Sequence, residues 1–323
     1  MIEPPFFYVF PMKHALLDYL VCPACLPDEM ALACRIVKQT AGDIISGDLF
    51  CNNCNTTYPV EEGVASLVAE PGLNPKVQNR YEDPALLASY LWSHYADLAS
   101  DTDAGHAYEA WAGKFHPSIG LALDAGCAVG RFTFEMANKS DFAIGIDRSH
   151  AFIRRARALM KNRTLTFQVP VEGRLQKTLT FNAPDHWESD RIDFIVGDIQ
   201  ALPFRSAQFS SVASLNLIDK VPRPLIHLQE MNRVAHRQDA QFLFSDPFSW
   251  SESITEAEHW LGGTEDGPFS GRGRDNVMAL LQGRGDHMLP PWRIEQKGDL
   301  WWKIRTHENY FELIRSYFIK AVR

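Results

Sequence analysis

Residues 123–135 read LDAGCAVGRFTFE. A strand-like run, IGLALD, enters a loop of small residues, and the loop leaves into a helix-like stretch, RFTFEMANK. Strand, small-residue loop and helix outline a cofactor loop. The loop fails the dinucleotide fingerprint G-x-G-x-x-G. With Gly126 as the second glycine, Asp124 and Val129 stand where the outer glycines should be.

The register is better against D-x-G-x-G-x-G, the loop that holds S-adenosylmethionine after a strand. Asp124, Gly126 and Gly130 match, and Ala128 replaces the middle glycine. Glycine lets backbone approach a ligand. An alanine with negative φ adds only a methyl group, so the replacement is expected to be tolerated. Cys127 reads as a small packed residue of the same loop, with no base beside it. The next run, FAIGID, ends in Asp147, 23 residues after Asp124. An acid there can accept hydrogen bonds from both ribose hydroxyls and would repel the 2′-phosphate of NADP. Arg148 follows it and joins the donor-binding set. GDIQALPF puts Asp198 and Ile199 at the adenine edge and face, and SLNLIDKV puts Asn216 and Asp219 near the reacting methyl. One Asp at a strand end is as well explained as a cap. Four in register point to a class I S-adenosylmethionine-dependent methyltransferase.

The periodicity agrees. IGLALD, FAIGID, IDFIVGD, FSSVASLN and AQFLFSD are short apolar runs, and FTFEMANK, AFIRRARALMK and PLIHLQEMNRV are helical stretches among them. Strands alternating with helices predict an α/β fold, a Rossmann-like seven-stranded sheet with helices on both faces. That domain is expected over 71–323, with a helical lid at 71–118 and insertions at 164–190 and 249–297. The tail, DLWWKIRTH and YFELIRSYFIKAVR, reads as an antiparallel hairpin at the sheet edge. In the lid, Tyr90, His94 and Tyr95 recur at helical spacing. Tyr90 is a candidate donor contact, His94 a candidate base, and Asp219 and Asn216 the other candidate catalytic residues. Arg131 could bind a carboxylate or sit in a salt bridge. Trp250 and Trp260 could box a substrate or pack locally.

Residues 1–70 form a separate unit, ending near a linker-like EPGLNP at 70–75. Cys22, Cys25, Cys51 and Cys54 make two C-x-x-C turns with a 25-residue spacer. Two such turns present four thiolates to one tetrahedral ion, so a structural zinc ribbon is expected; four thiolates leave no open position for catalysis. Cys34 reads as a core thiol. LLDYLVCPAC and CNNCNTTYPVEEGVASLV resemble the small zinc-ribbon activator of tRNA and protein methyltransferases. The unit has nine acidic and three basic residues, a net of −6 before the zinc centre is counted. Phosphate would be repelled, so nucleic acid is disfavoured as its partner and docking of a protein partner or a second copy is favoured.

LDAGCAVGRFTFEMA, FQVPVEGRL, NLIDKV and DPFSWSESITEAEHWLGG together resemble the methyltransferase domain of ovothiol synthase, from about 81 to 265. GDIQAL stands where that family has a cysteine-containing form, and the C-terminal segment diverges. The resemblance implies a small-molecule acceptor methylated at an imidazole nitrogen or a thiol. The alternatives are an RNA or protein methyltransferase that uses the ribbon for recognition, and a non-catalytic scaffold of the same fold. The chain of 323 residues is 46% hydrophobic and 22% charged with a net charge of −8, the composition of a globular protein. The opening MIEPPFFYVFPM lacks a basic segment and a long apolar run, which predicts neither a signal peptide nor a membrane helix and makes the cytoplasm the expected location.

Overall fold

The computed structural model describes residues 11–69 and 81–323. The first ten residues of the apolar opening and the expected linker at 70–75 lie outside the described residues. The N-terminal unit is an antiparallel ribbon of β1 (Ala33–Thr40), β2 (Asp43–Phe50), β3 (Thr57–Glu61) and β4 (Val64–Leu67). Then come α1 (Pro84–Tyr95) and α2 (Ala107–Ala112). Asp83 starts α1 by accepting hydrogen bonds from the amides of Ala85 and Leu86, with Pro84 at the first helical position.

The alternating region follows as β5 (Leu121–Ala125), α3 (Arg131–Ala137), β6 (Phe142–Asp147) and α4 (His150–Asn162). It continues through β7 (Thr164–Glu172), β8 (Leu175–Asn182), β9 (Ile192–Gly197), β10 (Phe209–Leu215), α5 (Pro224–Val234) and β11 (Gln241–Asp246). The chain ends with α6 (Gly273–Leu281), β12 (Arg293–His307) and β13 (Tyr310–Val322). Seven strands run in the order β9-β6-β5-β10-β11-β13-β12. The first five are parallel, and β13 lies antiparallel between β11 and β12. This is the Rossmann-like sheet expected, with the tail forming its edge hairpin. β7 and β8 pair only with each other, as a two-stranded hairpin.

The sheet does not stop at seven strands. β4 pairs in parallel with β9, Ser66 opposite Val196 and Leu67 opposite Gly197, so the ribbon extends the sheet to eleven strands. The seam is reinforced by polar contacts. The Lys13 amide donates to Asp193, the Val21 amide to the Pro203 carbonyl, and the Ser206 amide to Glu29, at 2.9, 2.9 and 2.6 Å. One apolar cluster is continuous across it, joining Leu16, Leu20 and Tyr58 of the ribbon to Ile195, Phe204 and Leu228. On the other face of the sheet, α1 to α4 pack around Trp92, Tyr95, Trp111, Phe134 and Phe194. Arg131, 4% exposed, pairs with Asp97 and Glu135, donates to the His94 carbonyl and lies over the Trp187 ring, so it fastens α1 to α3.

Candidate active site and zinc centre

Parallel sheets of this kind bind ligands beyond the carboxyl ends of their strands. A cavity lies there, at the ends of β5, β6, β9 and β10 and under α1. Its floor is the opening loop. Gly126 has φ +74, and a Cβ there would come within 2.6 Å of Leu217. Gly130 has φ +90, and its Cβ would meet Ala156 and the Phe194 ring at 2.8 Å. Both positions therefore demand glycine. Ala128 departs from expectation: its φ is +46, not negative. The left-handed turn aims the Ala128 amide at Asp147 Oδ2, 2.9 Å away, so the loop accepts strained backbone in exchange for that bond.

Asp124, Asp147 and Asp198, at the ends of β5, β6 and β9, line the cavity. Asp124 accepts a 2.7 Å bond from Thr133 Oγ1, and burial, helped by the charge of Asp147, pushes its pKa up to about 7. Asp147 also accepts from the Ser149 amide at 2.9 Å; burial raises its pKa to about 6 against the pull of those amides. Asp198 closes a turn with the Gln200 amide at 2.9 Å and holds Arg148 Nη1 at 2.8 Å. Arg148 Nε and Nη2 are buried with no hydrogen-bond partner among the described residues. Ile199 forms the neighbouring wall. Cys127 also faces the cavity, its thiol kept neutral by burial.

The covering side is aromatic: Tyr90, His94, Tyr108, Phe132, Phe152 and Trp302. Tyr90 packs on Phe152 at 4.9 Å and meets Trp302 edge-on at 6.0 Å. His94 Nε2 lies 2.6 Å from Tyr108 Oη. Burial, and then the charge of Arg131, hold the His94 pKa well below the ordinary imidazole range. His94 Nδ1, Asn216 Oδ1 and Trp302 Nε1 are buried without a partner among the described residues. Asn216 sits in left-handed backbone, φ +54, with its amide donating to the Ser245 carbonyl at 2.6 Å.

Asp219 lies elsewhere than expected. Its side chain is wholly buried outside the cavity wall and takes bonds from Lys220 Nζ at 2.9 Å and the Ser249 amide at 3.0 Å. The short 3-10 turn Ile218–Lys220 rotates Lys220, not Asp219, into the cavity. Trp250 and Trp260 stack on each other at 6.3 Å and do not line the cavity, so local packing describes them. Sequence reasoning missed Thr133, Ser149, Tyr108 and Trp302. Strand alternation could have found Trp302: in the WW pair, Trp301 is 54% exposed and Trp302 6%.

In the ribbon, the sulfurs of Cys22, Cys25, Cys51 and Cys54 all lie within 4.8 Å of one another. Two of the separations are 3.6 Å (Cys22 to Cys54) and 3.7 Å (Cys25 to Cys51). A tetrahedron with zinc–sulfur bonds of about 2.3 Å has edges of about 3.8 Å. Tyr58 Oη, Asn53 Nδ2 and Thr56 Oγ1 lie 3.2, 3.5 and 3.2 Å from Cys22, Cys25 and Cys54, the outer partners thiolates need. The four cysteines fit a structural zinc ion. Cys34 stands apart from them, partly buried against the ribbon core.

Sheet order, glycine loop and acids at successive strand ends define a class I S-adenosylmethionine-dependent methyltransferase. The comparisons agree: residues 123–238 match the family model described as methyltransferase domain, and residues 13–63 the one described as Trm112p-like protein. No curated protein matches the chain significantly. Among solved structures, a chain from the complex of the Haloferax volcanii Trm112 methyltransferase activator is 13% identical, covering 78% of this chain and 99% of its own, with a TM-score of 0.44. The YcgJ protein of Bacillus subtilis is 14% identical over 68% of this chain and 98% of its own, TM-score 0.44. A SAM-dependent methyltransferase from Aquifex aeolicus is 12% identical over 77% and 98%, TM-score 0.39. Among the described residues no helix is long and apolar enough to cross a membrane.

Proposed function

We propose that this enzyme methylates a group carried by a protein or an RNA, presented to the cavity beneath α1 and α2. The observation that carries this reading is the Trm112p-like match of residues 13–63, together with the fusion of that unit to the catalytic sheet through β4 and β9. The ribbon resembles activators of tRNA and protein methyltransferases, and no residue of 11–69 lines the cavity. It therefore serves as a built-in support for β9 and the loop after it, and it offers its outer face to a protein partner. S-adenosylmethionine supplies an activated methyl group when bound. On this reading Asp147 holds the ribose, Asp198 and Ile199 the adenine, and the 126–130 loop with Cys127 and Arg148 encloses the donor. Tyr90 covers it. Asn216 and His94 face the acceptor, while Asp219 anchors Lys220.

A second reading keeps a small-molecule acceptor, methylated at an imidazole nitrogen or a thiol. The aromatic end of the cavity favours it, as does the resemblance of residues 81–265 to the ovothiol synthase methyltransferase domain. A neutral ring nitrogen or a thiolate needs alignment more than a base. One experiment separates the two. The protein is incubated with methyl-labelled S-adenosylmethionine and an extract of cells lacking it, and label is counted in protein, RNA and small-molecule fractions. Label in protein or RNA is expected. Label confined to small molecules transfers the assignment to the second reading, and none anywhere, with donor bound, defeats both.

A further inference from the structure

α5 grips the loop that follows β9 with one face. Arg223, at its N-cap, donates its amide to Gln200 Oε1 at 2.9 Å, and Glu230 Oε2 accepts from the Leu202 amide at 2.7 Å. Between them, His227 places Nδ1 3.2 Å from the Ile199 carbonyl oxygen. These positions are four and three residues apart, the spacing of one helical face. His227 is wholly buried and is not part of the cavity wall, whereas Gly197, Asp198, Ile199 and Gln200 are.

The tautomer follows from the partners. A carbonyl oxygen only accepts, so Nδ1 carries the proton and Nε2 offers a lone pair. Ser214 Oγ, 2.8 Å from Nε2, is then the donor. Burial pushes the His227 pKa down to about 4, so this neutral form persists at neutral pH. One imidazole thus ties the loop after β9 to β10, although β6 and β5 lie between those strands. Ser214 immediately precedes Leu215 and Asn216, which line the cavity.

We propose that His227 is a positioning residue for purine recognition: by holding the Ile199 carbonyl it fixes the loop 198–200 in the one conformation that reads the adenine edge of the donor. The inference rests on the assignment of that loop to adenine. A general structural role would lower the affinity of every nucleoside ligand alike. A positioning role acts on the edge of the base, where adenine and hypoxanthine differ.

The test is calorimetric binding of S-adenosylhomocysteine and S-inosylhomocysteine to the full chain and to His227→Phe, His227→Asn and Asp198→Ala. His227→Phe keeps the bulk and removes the donor. It should weaken S-adenosylhomocysteine about tenfold, the scale of one buried hydrogen bond, and erase most of the preference over S-inosylhomocysteine. His227→Asn, which can present an amide N–H near the Nδ1 position, should recover most of both. Equal weakening of the two ligands in a folded His227→Phe, or none, overturns the proposal. If Asp198→Ala abolishes the preference and His227→Phe does not, only the positioning role falls. If neither changes it, the adenine assignment of the loop falls too.

Discussion

The two sides of the cavity are built on opposite terms. On the side that the proposed function gives to the donor, called the donor side below, each carboxylate is already held: Asp124 by Thr133, Asp147 by the amides of Ala128 and Ser149, Asp198 by Gln200 and Arg148. On the covering side His94 Nδ1 and Trp302 Nε1 are buried and unpartnered, as is Asn216 Oδ1 just past the end of β10. An unsatisfied buried polar group costs about 1–3 kcal/mol. The donor side is rigid before any ligand arrives, apart from the two unpartnered nitrogens of Arg148. The covering side has hydrogen-bonding capacity in reserve, which a ligand can satisfy.

The ribbon borders β9 and the loop after it, which gives the largest expected effect. Cys51→Ala, or zinc removal by a chelator, should melt the ribbon and lower the melting temperature by about 10 °C, since structural zinc contributes several kcal/mol. Donor affinity should fall with it, because β4 borders Gly197 and the Val21 amide holds Pro203. An apo-protein that binds S-adenosylhomocysteine at full strength would separate the ribbon from the donor side. Next comes Asp147→Ala. It leaves two backbone amides unpaired and removes the ribose acceptor, so calorimetry should find S-adenosylhomocysteine weakened about 100-fold, the loss of two or more buried bonds.

The pH dependence is smaller. The pKa values of Asp124 and Asp147 are raised to about 7 and about 6. Below those values the acids are protonated and lose acceptor capacity, so donor affinity should rise with pH through this window, about tenfold between pH 6 and 8. A flat profile would mean that neither acid needs to ionise. Trp302→Phe tests the covering side directly. It should leave S-adenosylhomocysteine binding within about twofold and slow methyl transfer about tenfold, the scale of one hydrogen bond. The opposite pattern would assign the indole to the donor and break the comparison.

Much of the cavity floor was legible because it is local. Strand period and a terminal acid point to Asp124, Asp147 and Asp198 within six-residue windows, and two C-x-x-C turns point to the four clustered cysteines. What was not legible is made by distant pairing. β4 meets β9 across 130 residues, and His227 reaches Ile199 across 28. Tyr108 joins the cavity wall beside His94 because α2 brings it there. Asp219 was misdirected by a smaller gap: the position of the strand end is readable, but the turn that follows decides which side chain enters the cavity.

Ala128 carries the smallest prediction and the finest test of donor-side rigidity. Its φ of +46 disfavours any residue with a Cβ, by about 1–2 kcal/mol. Ala128→Gly would relieve that strain but would widen the unfolded ensemble, which offsets part of the gain. The net should be a stabilisation below about 1 kcal/mol, read by denaturant unfolding. Donor affinity should move the other way if the alanine serves rigidity. The amide that binds Asp147 is aimed by this one left-handed residue, and glycine can also point it elsewhere. A variant that is more stable and binds S-adenosylhomocysteine about two- to threefold more weakly would mean that the methyl group keeps the loop in its donor-ready turn. Equal or tighter binding would mean that Asp147 and the flanking glycines set the turn without it.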